Sequence, residues 1–416
     1  MKLNAITLQN FKSFGPQTPV IGKIEDLQLV NLIFGHNSSG KSNILKFLDL
    51  LFSPKVIRES ILIEGEDNPR VRQVEGPFWN GSITNEPFIF HKNKRDIAIE
   101  FKVVLEISKA ELQKSGFTYF KPFSENFFAK EKLINTEIQG KIISSGDVYT
   151  STIQLTEVTI NGKIIFSDTG SEKEYFQGVP GLEGENTAFE NFMGIFNALI
   201  FFLDKDRYLV AEKEDSFAIT LAPHNFKNWM HNLSLDAFNY IRYENFIKFV
   251  RKYGAAITVL KNFEPSFAKN PQGQIDIFIN NGSERLPIGS FGTGIQQLLL
   301  LLAMLFDTNS KVILIEELEL NLSPISQQAL LQVFTNLIKD GEIDQVVFTS
   351  HSKTLAETPG ISVYQVEISI DGISSIKSMN GKKSPFFKRD NSIDKQMGSV
   401  LRTPGIQGPE WGDEEG

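Results

Sequence analysis

Gly35-His36-Asn37-Ser38-Ser39-Gly40-Lys41-Ser42 has the G-x-x-x-x-G-K-[ST] spacing of a phosphate-binding loop. Gly35 and Gly40 let the backbone curl, so that successive N–H groups point inward and cradle phosphate oxygens. A helix opening near Lys41 turns its positive dipole end to the same anion. Lys41 can reach the β- and γ-phosphates, and the Ser42 hydroxyl can ligate Mg²⁺. The bland alternative is an ordinary glycine turn into a helix.

Three further clusters lie in the second half. Val312-Ile313-Leu314-Ile315 is a short apolar run ending in Glu316-Glu317. A nucleotide-hydrolysing site needs two such carboxylates, one for the Mg²⁺ shell and one to position the attacking water. Glu316 takes the first role and Glu317 the second; the alternative is two exposed acids at a strand end. His351, one of only five histidines, follows the apolar run 345–348 within Thr349-Ser350-His351-Ser352. It thus stands at the carboxyl end of a strand, where α/β sheets place ligands. Ser290-Phe291-Gly292-Thr293-Gly294, followed by a helix opening with Gln296-Gln297, reads as a second phosphate-binding helix N-terminus, or else as a glycine-rich loop before a buried helix. One chain does not need two such elements. Two make sense if the second completes the site of another copy, in a head-to-tail dimer with two nucleotides at the interface.

These residues need elements to hold them. The run 29–34 predicts a strand into the loop, and 43–52 has apolar residues at helical spacing after it. Strands are expected at 5–8 and near 20–21. The run 97–105 alternates in parts with period two, which suggests antiparallel pairing. Residues 64–87 are punctuated by Gly, Pro and Asn. Asn161-Gly162 between 153–160 and 163–166 predicts a hairpin. The Gly-rich, acidic stretch 167–186 is expected to be a mobile loop. Residues 189–202 form one apolar segment, helix or strand. Phe226, Trp229, Met230, Leu233, Phe238, Ile241, Phe246 and Phe249 recur at helical spacing. Such a stripe is read as core ahead of a nucleic-acid stacking surface. A strand over 275–279 closed by Asn280-Asn281-Gly282, a helix over 295–306 and buried parallel strands at 312–315 and 345–348 complete the second half.

The 416-residue chain can bury a large core, and its net charge of −8 argues against a broad basic face for duplex DNA, though not against a local groove. It has no cysteine, so disulfides and thiolate metal sites are excluded. No signal-peptide stretch opens the chain, and its most apolar run, 298–306, falls short of the ~18 residues that span a bilayer. A cytoplasmic protein without a membrane segment is expected.

The order of phosphate loop, S-x-G-x-G-x-Q-Q, I-x-I-E-E and T-S-H-S resembles the ABC-type ATPases. More narrowly, Leu8-Gln9-Asn10-Phe11-Lys12-Ser13-Phe14 and the loop through Asn43 resemble the RecF, SMC and OLD branch. The resemblance covers residues 1–105 and about 270–370. It implies an α/β fold, an ABC-type P-loop NTPase head with a mixed sheet, an antiparallel β subdomain and an inserted helical lid. The head would span 1–380, with its core at 1–105 and 255–380 and an inserted β and helical region at 106–254. A tail at 381–416 would be disordered or partner-binding. ATP and Mg²⁺ would be held by Gly35, Asn37, Ser38, Ser39, Gly40, Lys41, Ser42 and Asn43, with Ser42 and Glu316 on the metal. Ser290, Gly292 and Gly294 would act across the dimer. Glu317 and His351 would be catalytic, with His351 reaching the γ-phosphate from the same subunit. Residues 319–324 would form a dimer-contacting loop. The sequence departs from many relatives there, with Leu318, Asn321 and Ser323 in place of a proline and histidines.

No heptad array supplies the coiled-coil arms of SMC proteins. The 65 residues after His351 (416 − 351) hold no D-x-D pair and no histidine for a TOPRIM or HNH nuclease. A stand-alone ATPase remains, similar to the OLD-like ATPases of the Septu, PARIS and retron-linked defence systems. The expected function is an ATP-hydrolysing subunit of a bacterial antiphage complex, a homodimer or higher homo-oligomer controlling a separate effector, an HNH or TOPRIM nuclease or a toxin. The alternatives are a RecF-like DNA-repair ATPase, which would make nucleic acid a partner, and a non-hydrolysing nucleotide switch.

Overall fold

The computed structural model describes residues 1–17, 19–52, 55–61, 70–76, 82–84, 89–128, 131–144, 150–205, 207, 209–215, 221–281 and 284–379. Residues 381–416, expected as a tail, and most of the punctuated stretch 64–87 lie outside them.

Along the chain, β1 (Lys2–Gln9) and β2 (Gly22–Ile24) precede β3 (Val30–Phe34), which runs into the glycine loop and α1 (Lys41–Phe52). The second strand thus begins just beyond the residues expected for it. Strands β4 (Lys55–Ile61), β5 (Arg70–Gly76) and β6 (Ser82–Thr84) lead to β7 (Ile99–Ser108). Then come α2 (Lys109–Lys114), α3 (Phe120–Phe127), β8 (Leu133–Ser144), β9 (Thr150–Ile160), β10 (Lys163–Asp168) and β11 (Lys173–Tyr175). The Asn161-Gly162 turn has φ of 48° and 79°, the double left-handed geometry a two-residue hairpin needs. The apolar segment near 189–202 resolves into both options, α4 (Asn186–Leu199) and then β12 (Ile200–Leu203). β13 (Glu212–Lys213), α5 (Phe226–Leu235), α6 (Tyr240–Tyr253), α7 (Thr258–Lys261), β14 (Pro265–Lys269), β15 (Gln274–Asn281) and β16 (Glu284–Pro287) follow. The last part holds α8 (Thr293–Asp307), β17 (Val312–Ile315), α9 (Pro324–Lys339), β18 (Gln345–Ser350), α10 (Lys353–Ala356), β19 (Ser362–Ile368) and β20 (Ser374–Ser378).

Two sheets define the α/β architecture. The first has the order β12-β17-β18-β3-β19-β20, parallel except for β20 at its edge. All of β17 and β18 is buried, which is why β17 and the Val346, Val347, Phe348 stretch of β18 read as apolar runs rather than alternations. The second is antiparallel, β11-β10-β9-β8-β7-β1-β2, with β6 on β9. Residues 106–254, expected as an insertion, therefore hold β8–β11, which continue the sheet begun by β1 and β7, and β12, which edges the parallel sheet.

Side chains of the parallel strands alternate between two cores. Val312, Leu314 and Val347 join the antiparallel sheet, α1 and α4 on one side. Ile313, Ile315, Val346 and Phe348 join α5, α6, α8 and α9 on the other. The stretch 167–186 is not the mobile loop expected from its glycines. Phe176, Val179 and Leu182 are fully buried and recur every third residue, so the glycines turn a chain that is anchored between them. The aromatic stripe divides as well. Phe226, Trp229, Met230, Leu233 and Phe246 are core, while Phe238, just before α6, and Ile241, in its first turn, are 95% and 69% exposed. None of the helices among the described residues is long and apolar enough to cross a membrane.

Candidate functional site

Register lines up the carboxyl ends of four parallel strands. Leu203 pairs with Ile315, Ile315 with Phe348, and Ser350 with Phe34. The residues that follow these ends, near Asp204, Glu316, His351 and Gly35, are therefore neighbours, at the end of the sheet where such folds bind ligands.

The glycine loop is held by its surroundings. A Cβ on Gly35 would lie 2.4 Å from Val366 O, so this glycine is required by the close approach of β19 rather than by its own torsion. The left-handed turns come later, at Ser38 (φ 62°) and Gly40 (φ 102°). Ser374 Oγ donates to Ser39 O (2.6 Å), and Asn43 Nδ2 donates to Ser13 Oγ (2.8 Å). Ser39 Oγ is buried without a partner among the described residues, while His36, Asn37 and Ser38 are exposed. Lys41 is buried, and Nζ folds back on His36 O (2.7 Å). Burial lowers its pKa against the attraction of Glu319, Glu317 and Glu316. A cation already desolvated beside a nest of N–H groups suits a phosphate.

Glu316 is buried, and its Oε2 accepts no hydrogen bond among the described residues. Burial raises its pKa; the Ser42 hydroxyl bonded to it and Lys46 pull the other way, and Asp204 adds to the rise. Ser42 and Glu316 thus share a hydrogen bond, while Oε2 carries none among the described residues and has Lys46 Nζ 4.0 Å away. That is a fit for Mg²⁺, which takes one or two protein oxygens and completes its shell with phosphate and water. Among the described residues no cluster of three or more acidic or histidine side chains forms an all-protein metal cage.

Glu317 is half-buried and its φ is 47°, a left-handed conformation that costs a side-chain-bearing residue about 1–2 kcal/mol. Its N–H donates to Thr349 Oγ1 (2.9 Å), and Leu318 N–H donates to Thr349 O (3.1 Å). His351 is half-exposed at its side chain, with Nδ1 2.8 Å from Glu319 Oε1. The same oxygen accepts the His351 N–H (2.7 Å). With Nδ1 donating to Glu319, Nε2 is left for a ligand.

Two site residues were missed. Glu319 was read only as the start of a loop, yet it is buried and orients His351. Arg207 is 4% exposed and donates to carbonyls of Asp204, Glu316 and Glu317. Burial lowers its pKa to about 10, opposed by the carboxylates of Asp204, Glu316, Glu319 and Glu317. The available signal was the charged Asp204-Lys205-Asp206-Arg207 directly after an apolar run.

The structure brings the glycine loop, Lys41, Ser42, Glu316, Glu317 and His351 to one end of one sheet. Ser290 and Gly292 stand exposed at the amino end of α8, with no hydrogen bond to that group among the described residues. A Cβ on Gly294 would lie 3.0 Å from Asn321 O, so α8 packs on the loop that follows Glu317.

Comparison with known proteins gives the class. A curated relative, the ATP/GTP phosphatase of Helicobacter pylori, is 23% identical over 361 residues, which cover 85% of this chain and 86% of that protein. Among solved structures, an Smc head bound to the C-winged helix domain of ScpA shares 15% identity at a TM-score of 0.48, covering 93% of this chain and all of that one. The SMC head domain from Thermotoga maritima shares 15% at 0.42, covering 91% and 99%. The family profile described as an AAA ATPase domain (AAA_15) matches residues 1–356, from the first strand to α10. A match of that extent, over a chain with this loop, makes the protein a member of the AAA ATPase domain family.

Proposed function

We propose that this chain hydrolyses ATP with Mg²⁺, and that it does so between two copies arranged head to tail. The observation that carries the reading is the convergence of Lys41, Ser42, Glu316, Glu317 and the Glu319–His351 pair at the carboxyl ends of adjacent parallel strands. Lys41 leaves His36 O for the β- and γ-phosphates. Ser42 and Glu316 would hold the metal, which when bound would supply charge neutralisation to the phosphates. Glu317 orients the attacking water and takes its proton. His351, fixed by Glu319, would donate an Nε2–H to the γ-phosphate. Asn37, Ser38, Ser39, Gly40 and Asn43 line the phosphate cradle. Ser290, Gly292 and Gly294 supply the second copy's share. The name of the Helicobacter relative makes GTP the second nucleotide to assay.

Phosphate release tests the assignment. Glu317→Gln should slow turnover by about 10²–10⁴-fold, the usual worth of a positioned general base, while ATP stays bound. Lys41→Ala should lose ATP binding itself. Turnover in both variants equal to the parent's would remove the site assignment.

The finer reading is that pairing around ATP controls a separate effector, a nuclease or toxin, within a bacterial antiphage complex. It is supported by the motif order and its likeness to the stand-alone ATPases of defence systems. Co-purification with the products of adjacent genes tests it. A chain that binds none of them and turns over faster on DNA would instead be the repair ATPase, with DNA affinity falling steeply as salt rises.

A further inference from the structure

We propose that Arg207 is a positioning residue for hydrolysis, a buried brace that holds the Glu316–Glu317 backbone in its working geometry from the side opposite Thr349. The proposal rests on the hydrolytic reading above.

Arg207 follows β12, the strand beside β17. It is among the few charged side chains buried among the described residues, and each of its hydrogen bonds goes to a backbone carbonyl rather than to a carboxylate. Nη1 donates to Asp204 O (2.7 Å) and Glu316 O (2.9 Å), and Nη2 donates to Glu317 O (3.1 Å). A guanidinium presents its donors in a flat, fixed fork, so one group can tie two strand ends together at set distances. Burying such a charge is costly, and the carbonyls do not cancel it as a paired carboxylate would. An expensive group in this place calls for a function beyond packing.

The place is the one where the backbone needs support. Glu317 is left-handed without being glycine, and such strain persists only where the surroundings over-determine it. The amide side is fixed by β18, through Thr349 Oγ1 to Glu317 N and Thr349 O to Leu318 N. The carbonyl side is fixed by Arg207, on Glu316 O and Glu317 O. Remove the fork and the residue bearing the catalytic carboxylate keeps only half of its restraint. The charge acts too. The carboxylates of Asp204, Glu316, Glu319 and Glu317 all act on the guanidinium, so it offsets acid repulsion in a site that must hold several carboxylates close together.

The test uses the full chain, with Arg207→Lys and Arg207→Ala. Lysine keeps the charge and most of the volume but not the fork, so it keeps the question answerable if alanine does not fold. Steady-state kinetics, ATP affinity, hydrogen exchange and melting are read for each variant. At saturating Mg²⁺ and ATP, kcat should fall on the order of 10–100-fold in both variants, as for a catalytic group displaced by about 1 Å. KM and equilibrium ATP affinity should stay within a few-fold of the parent, because Lys41 and the glycine loop are untouched. Hydrogen exchange at the Leu318 amide should quicken in both variants while that of β18 amides does not. A folded Arg207→Lys protein with parental kcat would overturn the proposal. So would loss of ATP affinity and melting temperature in step with kcat, which marks a purely structural arginine. If the parent releases no phosphate, the hydrolytic reading fails separately. The exchange measurement then decides the brace alone, and unchanged Leu318 exchange rejects it.

Discussion

Gly40 has φ of 102°, and a Cβ there would meet Ser13 Oγ at 2.3 Å and Ser374 Oγ at 2.5 Å. Both hydroxyls already brace the loop, Ser13 through Asn43 and Ser374 through Ser39 O. Gly40→Ala therefore combines a torsion that alanine disfavours with a space it cannot enter. It should destabilise the chain by about 1–3 kcal/mol and abolish ATP binding, because the braces must move away from the phosphate cradle. Gly116 is the control. Its φ is 74° and nothing lies within 4 Å of an added Cβ, so Gly116→Ala should cost the torsion alone, about 1 kcal/mol, and leave binding intact. Thermal melting and nucleotide titration of the pair separate the two terms. Residue type and spacing singled out Gly40, Lys41 and the two glutamates in the sequence, and the strand register brings them to one end of the parallel sheet. Ser374, Glu319 and Arg207 were not legible in the sequence. Each is polar, common and far along the chain from what it holds, so its contact exists only once the strands are in register.

At the scale of the element, the same periodicity concealed two different outcomes. Trp229 and Phe238 belong to one aromatic stripe, yet Trp229 is fully buried and Phe238 is 95% exposed at the entry to α6. Helical spacing marks a face but does not say where the helix under it stops, and α5 ends at Leu235. Trp229→Ala should cost about 3–5 kcal/mol, and Phe238→Ala should change stability by less than about 0.5 kcal/mol. Chemical denaturation of both variants checks it. The fusion of α4 and β12 into one apolar run was equally opaque, because a buried helix and a buried strand have the same composition. α5 also carries a pH signal. Glu212 on β13 accepts the backbone N–H groups of Lys227 and Asn228 in its first turn (2.9 and 2.8 Å). Burial nonetheless raises its pKa above 4.5, against those hydrogen bonds. Between 4.5 and the raised value the folded state binds more protons than the unfolded one, so this group's contribution to stability is greatest at low pH and is lost as pH rises through the window. The melting temperature of the parent relative to Glu212→Gln should accordingly be more favourable near pH 4 than at pH 7. A difference that shrinks or reverses on acidification would mean that the hydrogen bonds outweigh the burial.

For the molecule as a whole, the question is what the exposed amino end of α8 serves, which the proposed function assigns to a second copy. Ser290 and Gly292 are exposed at the head of α8, and Gly294 packs on Asn321 O in the loop that follows Glu317. Ile325, just beyond that loop in the first turn of α9, is an apolar side chain 80% exposed. A serine, a glycine and an isoleucine left in water are what a face awaiting a second copy would present, with the γ-phosphate as the third partner. Blocked hydrolysis should therefore turn a transient pairing into a stable one. Glu317→Gln with ATP and Mg²⁺ should double its mass in light scattering or sedimentation, and Lys41→Ala should not. Adding Ser290→Arg to Glu317→Gln should abolish the doubling through bulk at the interface. Because residue 290 is exposed, the melting temperature of the free chain should hold and ATP should still bind each monomer through Lys41. Doubling that survives Ser290→Arg would place the contact on another face. ATP binding that disappears with the pairing would mean that no monomer holds the nucleotide alone, and that the two half-sites act only as one.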